Sequence, residues 1–494
     1  MTRARAFAAA ALAGLLACAD PAPDSGTPAP ADGGDGADGA EGTDGADGTD
    51  GTDGVAPVGE QPAFENPPEA EDLDPEPGVV RFALTAAPAT HTLTDWVTGE
   101  DHVYEGYAYN DSLPGPTLRA QLGDTVFVTL TNGLDTPTTI HWHGLDVPYD
   151  MDGVMWTNAP VMPGETFTYT FTVDQVGTFW YHPHFDTVHQ VDLGLYGVFI
   201  VEGPDEPPVD HELIAIVDDW GEAPVTDADP HVIHGAHGEV GAWAVNGRVQ
   251  PRVTLPGGET ARLRILNASN HGYLDLTLPE PRRIAGGQGL LPAAEAPDRH
   301  LLPPGARAEF ELRPGEAAFS LLDQPYSLNG GAALGEPAAL LDVTIDVPAP
   351  AAAPLDWPFP AATVSPDPGR TDLLYVFQGE AHTDTWRING EEFPDVTVER
   401  VDLGQDVVME LRNLSATEHP FHLHGMRFEV LSRDGVPPAA HTLEDTVNLG
   451  LHETVRVRVL ADNEGFWMTH CHILPHADGG MMTVLQVGDP PTGG

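Results

Sequence analysis

The chain has 494 residues, more than one hydrophobic core usually organises, so two or three domains are expected. Its 76 acidic residues against 21 basic ones leave a formal charge of −55, and every basic side chain is arginine. Such a chain repels nucleic acid and anionic lipid, and solubility or a saline habitat explains the charge more simply than an acidic binding function does.

Met1 to Cys18 has the form of a bacterial lipoprotein signal: Arg3 and Arg5, an apolar run from Phe7 to Leu16, then Leu15-Leu16-Ala17-Cys18. The apolar run is too short for a permanent membrane span. Cys18 is expected to become a lipidated first residue, making the protein exported, periplasmic or at the cell surface; an ordinary cleaved signal would export it equally. Arg3-Ala4-Arg5 is not a twin-arginine pair. Residues 19–77 read as a disordered acidic Gly/Asp-rich linker, with an acidic residue at every third position from Asp32 to Asp53. Calcium binding by these aspartates is the alternative.

Ordered sequence is expected from residue 78. Runs such as Thr125-Val126-Phe127-Val128-Thr129-Leu130 and Phe167 to Val173 alternate and are bounded by Gly, Pro and Asp, which predicts short strands in a sandwich or barrel. Gly203-Pro204 and Pro207-Pro208 close a first unit at 78–205. A second, 206–350, contains the alternating Ala261 to Asn267. A Pro/Ala tract at 348–360 leads into the third, 351–494. Three units of similar length and texture predict an all-β, triplicated fold.

His470-Cys471-His472, followed by His476 and Met481, holds the only cysteine beyond the leader, so no structural disulfide is available within one chain. On a strand, His470 and His472 point one way and Cys471 the other. A thiolate with two imidazoles and a weak thioether suits an electron-transfer copper site. Three further His-x-His pairs occur: His141-Trp142-His143, His182-Pro183-His184 and His422-Leu423-His424. Each pair would set two imidazoles roughly 6–7 Å apart on one face of a strand, able to serve two metal ions. Any one pair could be core or surface histidine; four together point to a metal cluster.

With Leu113-Pro114-Gly115-Pro116-Thr117, Leu195-Tyr196-Gly197, Val245-Asn246-Gly247 and His419-Pro420-Phe421-His422-Leu423-His424-Gly425, these motifs make residues 79–487 resemble a three-domain bacterial multicopper oxidase of the laccase-like kind. The resemblance implies three consecutive cupredoxin-like Greek-key β-barrels, the first and third clasping a three-copper cluster and the middle one acting as spacer. It implies four copper ions. His419, Cys471, His476 and an axial Met481 would hold the type 1 ion, and His141 and His422 the type 2 ion. His143, His182 and His472 would hold one type 3 ion, and His184, His424 and His470 the other. It further implies one-electron oxidation of a small-molecule reductant coupled to four-electron reduction of dioxygen to water, in a monomer. Cys471 is the junction between the two sites, being bonded directly to cluster residues on both sides.

Oxygen reduction needs protons. Asp152 is assigned to their delivery, with a turn role beside Gly153 as the alternative. Relatives commonly carry Glu after the residue matching His476; Ala477 stands there, and Asp478 is the substitute expected. Nine methionines in the whole chain argue against a Cu(I)-binding Met-rich segment, so a phenolic or other aromatic donor near His476 is favoured. Oxidation of Cu(I) or Fe(II), or non-catalytic copper binding, are the alternatives. His231, His234 and His237 read as a solvated loop or an accessory metal rim.

Overall fold

The computed structural model describes residues 57–220, 242–333, 335–361, 365–380, 385–440 and 442–490. His231, His234 and His237 lie outside the described residues, as do the leader and the Asp-Gly repeats.

The described residues form six sheets, two within each of three successive stretches, and the strand order repeats. In the first stretch Val79–Asp95 pairs antiparallel with Glu100–Tyr109 and parallel with Thr125–Asn132, which pairs antiparallel with Thr166–Thr172. The second sheet runs Leu118–Gln121, Gly197–Glu202, Gly177–His182, His141–His143, again with one parallel pair at its edge. In the third stretch Leu373–Glu380 takes the same place between Thr385–Ile388 and Gln405–Asn413, and Met482–Val487 between Glu399–Val401 and Gly465–Cys471. The middle stretch repeats the parallel joints at His211–Trp220 with Ala261–Asn267 and at Arg252–Leu255 with Ala338–Ile345.

Alternation explains the layers. Thr125–Asn132 and Thr454–Ala461 bury every second residue, sending valines and leucines into the space between paired sheets. Each stretch thereby closes on its own apolar core: Val126, Val128, Phe179 and Phe199 in the first, Leu263, Phe310 and Leu341 in the middle, Val407, Val457, Phe421 and Leu485 in the third.

Two features depart from the sequence expectation. Ala261–Asn267 is buried at every position. Its outward Arg262 and Arg264 meet the fully buried Glu309 at 2.6 and 2.8 Å, and Arg264 reaches Thr178 of the first stretch at 2.8 Å. Its polar face therefore packs against a neighbouring unit rather than water. The other departure corrects the linker boundary. Residues 57–77 are structured: Phe64 N–H donates to Arg252 O and Ala70 N–H to Thr117 O, and Phe64 packs on the middle core. A Pro/Glu-rich stretch without alternation still orders when its backbone finds sheet edges to pair with.

Candidate metal centre

Period-two alternation places the histidines. In His141–His143, Trp142 points into the first core against Tyr169 and Phe171, which turns both imidazoles to the opposite face. Cross-strand register sets His141 opposite His182. The third stretch does the same: Cys471 sits in the core with Phe421, and His422 is opposite His470. The two histidine faces interlock, His143 stacking on His422 at 3.7 Å and His141 on His424 at 3.8 Å.

Four sets of ligand atoms converge, each within 4.8 Å: His141, His143 and His422; His143, His182 and His472; His184, His424 and His470; and His419, Cys471 and His476. Met481 is fully buried in the same core as Cys471, and its backbone closes the loop, its N–H donating to His476 O and its carbonyl accepting from Cys471 N–H. The loop between is the short helix Leu474–Asp478, which returns His476 to within 3.6 Å of the Cys471 sulfur. Trp386 stacks on the His476 ring at 3.6 Å.

Hydrogen bonds fix which nitrogen faces inward. His424 Nδ1–H donates to Asp152 Oδ2 and His470 Nδ1–H to Cys471 O. As neutral rings they must then present lone pairs at Nε2, yet those two atoms are 3.0 Å apart. His419 Nε2–H donates to Ser415 Oγ, so its Nδ1 lone pair faces Cys471 Sγ at 3.4 Å and His476 Nδ1 at 3.2 Å. The inward Nε2 atoms of His141, His182 and His422 are buried without a hydrogen-bond partner. Facing lone pairs and orphaned buried nitrogens are what a cation between them resolves.

Burial keeps the rings neutral. It lowers His143, His182, His184, His422, His424, His472 and His476 well below the usual imidazole range, His470 to about 4 and His419 to about 3. Burial pushes the Cys471 thiol far above its usual range. Imidazoles are thus ready as ligands, whereas the thiol must give up a proton to a metal.

Asp152 is fully buried inside the assembly. Its Oδ1 accepts from His141 Nδ1 at 3.1 Å and its Oδ2 from His424 Nδ1 at 2.9 Å, so it joins a histidine from the first stretch to one from the third. Asp478 is not gathered with the histidines. The helix of His476 carries it away, so that its carboxylate accepts from Val188 N–H near Asp186; the protein crowding it raises it to about 7. Ala477 is buried. Beside this helix Asp218 and Asp219 lie buried with their carboxyls raised by burial, and Asp219 Oδ2 is 3.6 Å from Nδ1 of the buried His271.

Several contributors escaped the sequence reading. Asp445 and Thr446 hold His143 Nε2 at 3.0 and 3.1 Å, and Arg307 binds Asp445. An Asp-Thr pair at the entry to the strand Thr446–Leu449 is the signal that could have marked them. Ser415 and Trp386 carry none.

Residues 92–206 and 365–491 each match a multicopper oxidase family model. The chain is 31% identical over 425 residues to the multicopper oxidase MmcO of Mycobacterium tuberculosis, covering 76% of this chain and 82% of that protein. Among solved structures, a multi-copper oxidase from Pseudomonas thermotolerans is 32% identical, with a TM-score of 0.71 over 83% of this chain and 99% of that one. A laccase from Pediococcus acidilactici is 29% identical, with a TM-score of 0.75 over 88% and 95%. The paired sheets are accordingly cupredoxin-like barrels, as the sequence motifs implied. The chain belongs to the multicopper oxidase family, copper-dependent oxidoreductases that use dioxygen, and is of the bacterial laccase-like kind.

Proposed function

We propose that this chain couples one-electron oxidation of a phenolic or other aromatic reductant to the reduction of dioxygen to water. His419, Cys471 and His476, with Met481 as axial ligand, would hold one copper. His141, His422, His143, His182, His472, His184, His424 and His470 would hold three more. When bound, these ions supply single-electron acceptance at the thiolate site and four-electron reduction of dioxygen at the histidine cluster. The observation carrying the reading is that three consecutive residues are divided between the two sites, Cys471 in the thiolate set and His470 and His472 in the cluster, giving a covalent path between them.

The chain's own residues do the rest. Trp386 covers one face of His476 and leaves the ring's edge as the place where a planar donor would approach. The cluster histidines are buried apart from the half-buried His184, which restricts bulk water at the oxygen site. Asp152 stands within hydrogen-bond distance of His141 and His424, where a carboxylate can relay protons toward the oxygen site. A leader ending at Cys18 would export and anchor the protein, which would work as a monomer.

Oxygen uptake by the copper-loaded chain with methoxyphenols, Cu(I) and Fe(II), recorded beside its visible spectrum, tests this. Uptake with phenols and a strong blue thiolate-to-copper band are expected. A missing band would overturn the thiolate site, and rapid Cu(I) or Fe(II) oxidation with phenols untouched would overturn the donor. One observation favours that second reading: Asp478, on the helix that carries His476, lies near Asp186, a pair of carboxyl groups that suits a cationic reductant.

Because Asp478 stands apart from the cluster, we expect Asp478→Asn to leave oxygen reduction with a neutral phenol within about twofold and to raise KM for Fe(II). Rapid-kinetic reoxidation of the reduced enzyme checks the first part. A rate loss of about 10²-fold or more would restore Asp478 to the proton path.

A further inference from the structure

We infer that the middle barrel does more than separate the other two: Arg307 is a positioning residue that, acting through Asp445, turns His143 so that Nδ1 faces the copper cluster. The inference rests on the copper reading above. His143 is held the other way round from five of its neighbours. His141, His182, His422, His424 and His470 each use Nδ1–H on a protein acceptor. His143 instead donates from Nε2 to Asp445 Oδ1 at 3.0 Å, and its Nδ1 is buried without a partner.

The acceptor that reverses the ring is itself held from the middle barrel. Arg307 meets Asp445 as a two-pronged fork, 2.8 Å to Oδ1 and 2.6 Å to Oδ2, and both side chains are fully buried. Its other N–H groups donate to Thr178 O at 3.0 Å, Gly305 O at 3.2 Å and Gly287 O at 2.6 Å, so all five donors are engaged. Gln288 Nε2 donates to Asp445 Oδ2 at 2.6 Å. The carboxylate plane is therefore fixed, with Oδ1 held as an acceptor against His143 Nε2–H. Thr446 extends the same anchor: its hydroxyl donates to Asp445 Oδ1, and its oxygen lies 3.1 Å from His422 Nδ1.

Space has been cleared for this pair. A Cβ on Gly144 would stand 2.6 Å from the Arg307 guanidinium and 2.8 Å from the Asp445 carboxylate. One on Gly305 would stand 2.8 Å from the His472 ring. Lysine would keep the charge but lose the planar fork.

The test loads the full chain with copper, wild type beside Arg307→Lys and Asp445→Asn, and records copper per chain, the blue band, the paramagnetic signal of the cluster and oxygen uptake. Both variants are expected to keep the blue band while cluster copper affinity or oxygen uptake falls about 10–100-fold and the cluster signal changes. Parallel loss of blue band and cluster, or no change in either, would overturn the positioning role. A wild-type chain without a blue band would count against the copper reading itself, which separates the two failures.

Discussion

Replacing Asp152 with asparagine should slow oxygen reduction by about 10²–10⁴-fold while the blue band still bleaches at its normal rate under anaerobic reductant. The separation follows from where the carboxylate sits. Asp152 is in contact with His141 and His424 on the oxygen side and with none of His419, Cys471 or His476. Its position is set by the backbone: Gly153 has φ +77°, and a Cβ there would lie 1.8 Å from Ile140 O. The chain can fold back over the strand of His141 only because that residue is glycine. Both carboxylate oxygens accept Nδ1–H groups, so an amide keeps one acceptor and turns an NH₂ against the other ring. Anaerobic reduction followed by mixing with oxygen, with copper content measured on the same sample, reads the two half-reactions separately. Equal slowing of both would mean that Asp152 shapes the whole protein rather than supplying protons.

What could be read from the sequence was whatever a two-residue period encodes. His141-Trp142-His143 and His470-Cys471-His472 each place one side chain in a core and two on a metal face, and the structure gathers them with the partners that the motifs named. The same period misled at Ala261–Asn267, where arginines alternating with leucines look half-solvated; the ions facing them, Glu309 and Glu212, come from neighbouring strands of the same barrel, and Thr178 of the first barrel meets Arg264. Arg307 and Asp445 were invisible for a related reason. They are 138 residues apart, and Asp445 meets His143 across 302, so no local pattern records either contact. The Asp478 expectation came from sequence adjacency to His476, but on a helix a two-residue step, about half a turn, directs the two side chains to different surroundings.

Copper binding at the thiolate site should strengthen about tenfold per pH unit from pH 5 to 8, while binding at the histidine cluster should depend on pH much less. The sign comes from which form each ligand takes before metal arrives. Burial holds the Cys471 thiol protonated across this range, so binding there must expel one proton, and affinity rises with pH until the thiol would ionise unaided. Across three pH units the effect approaches about 10³-fold, one decade per proton per unit. The cluster imidazoles differ because burial depresses them: His470 stays neutral down to about pH 4, and His143, His182, His184, His422, His424 and His472 are likewise held below the ordinary value of about 6.5. Copper therefore displaces fewer protons from these rings as the pH falls than it would from exposed imidazoles. Titrating the copper-free chain with Cu(I) under nitrogen against a competing chelator, in Cys471→Ser and wild-type protein, assigns each affinity to its site. A cluster affinity that collapses below pH 6.5 would show that those imidazoles behave like solvent-exposed ones. A thiolate site with no pH dependence would mean that Cys471 is already ionised before copper binds.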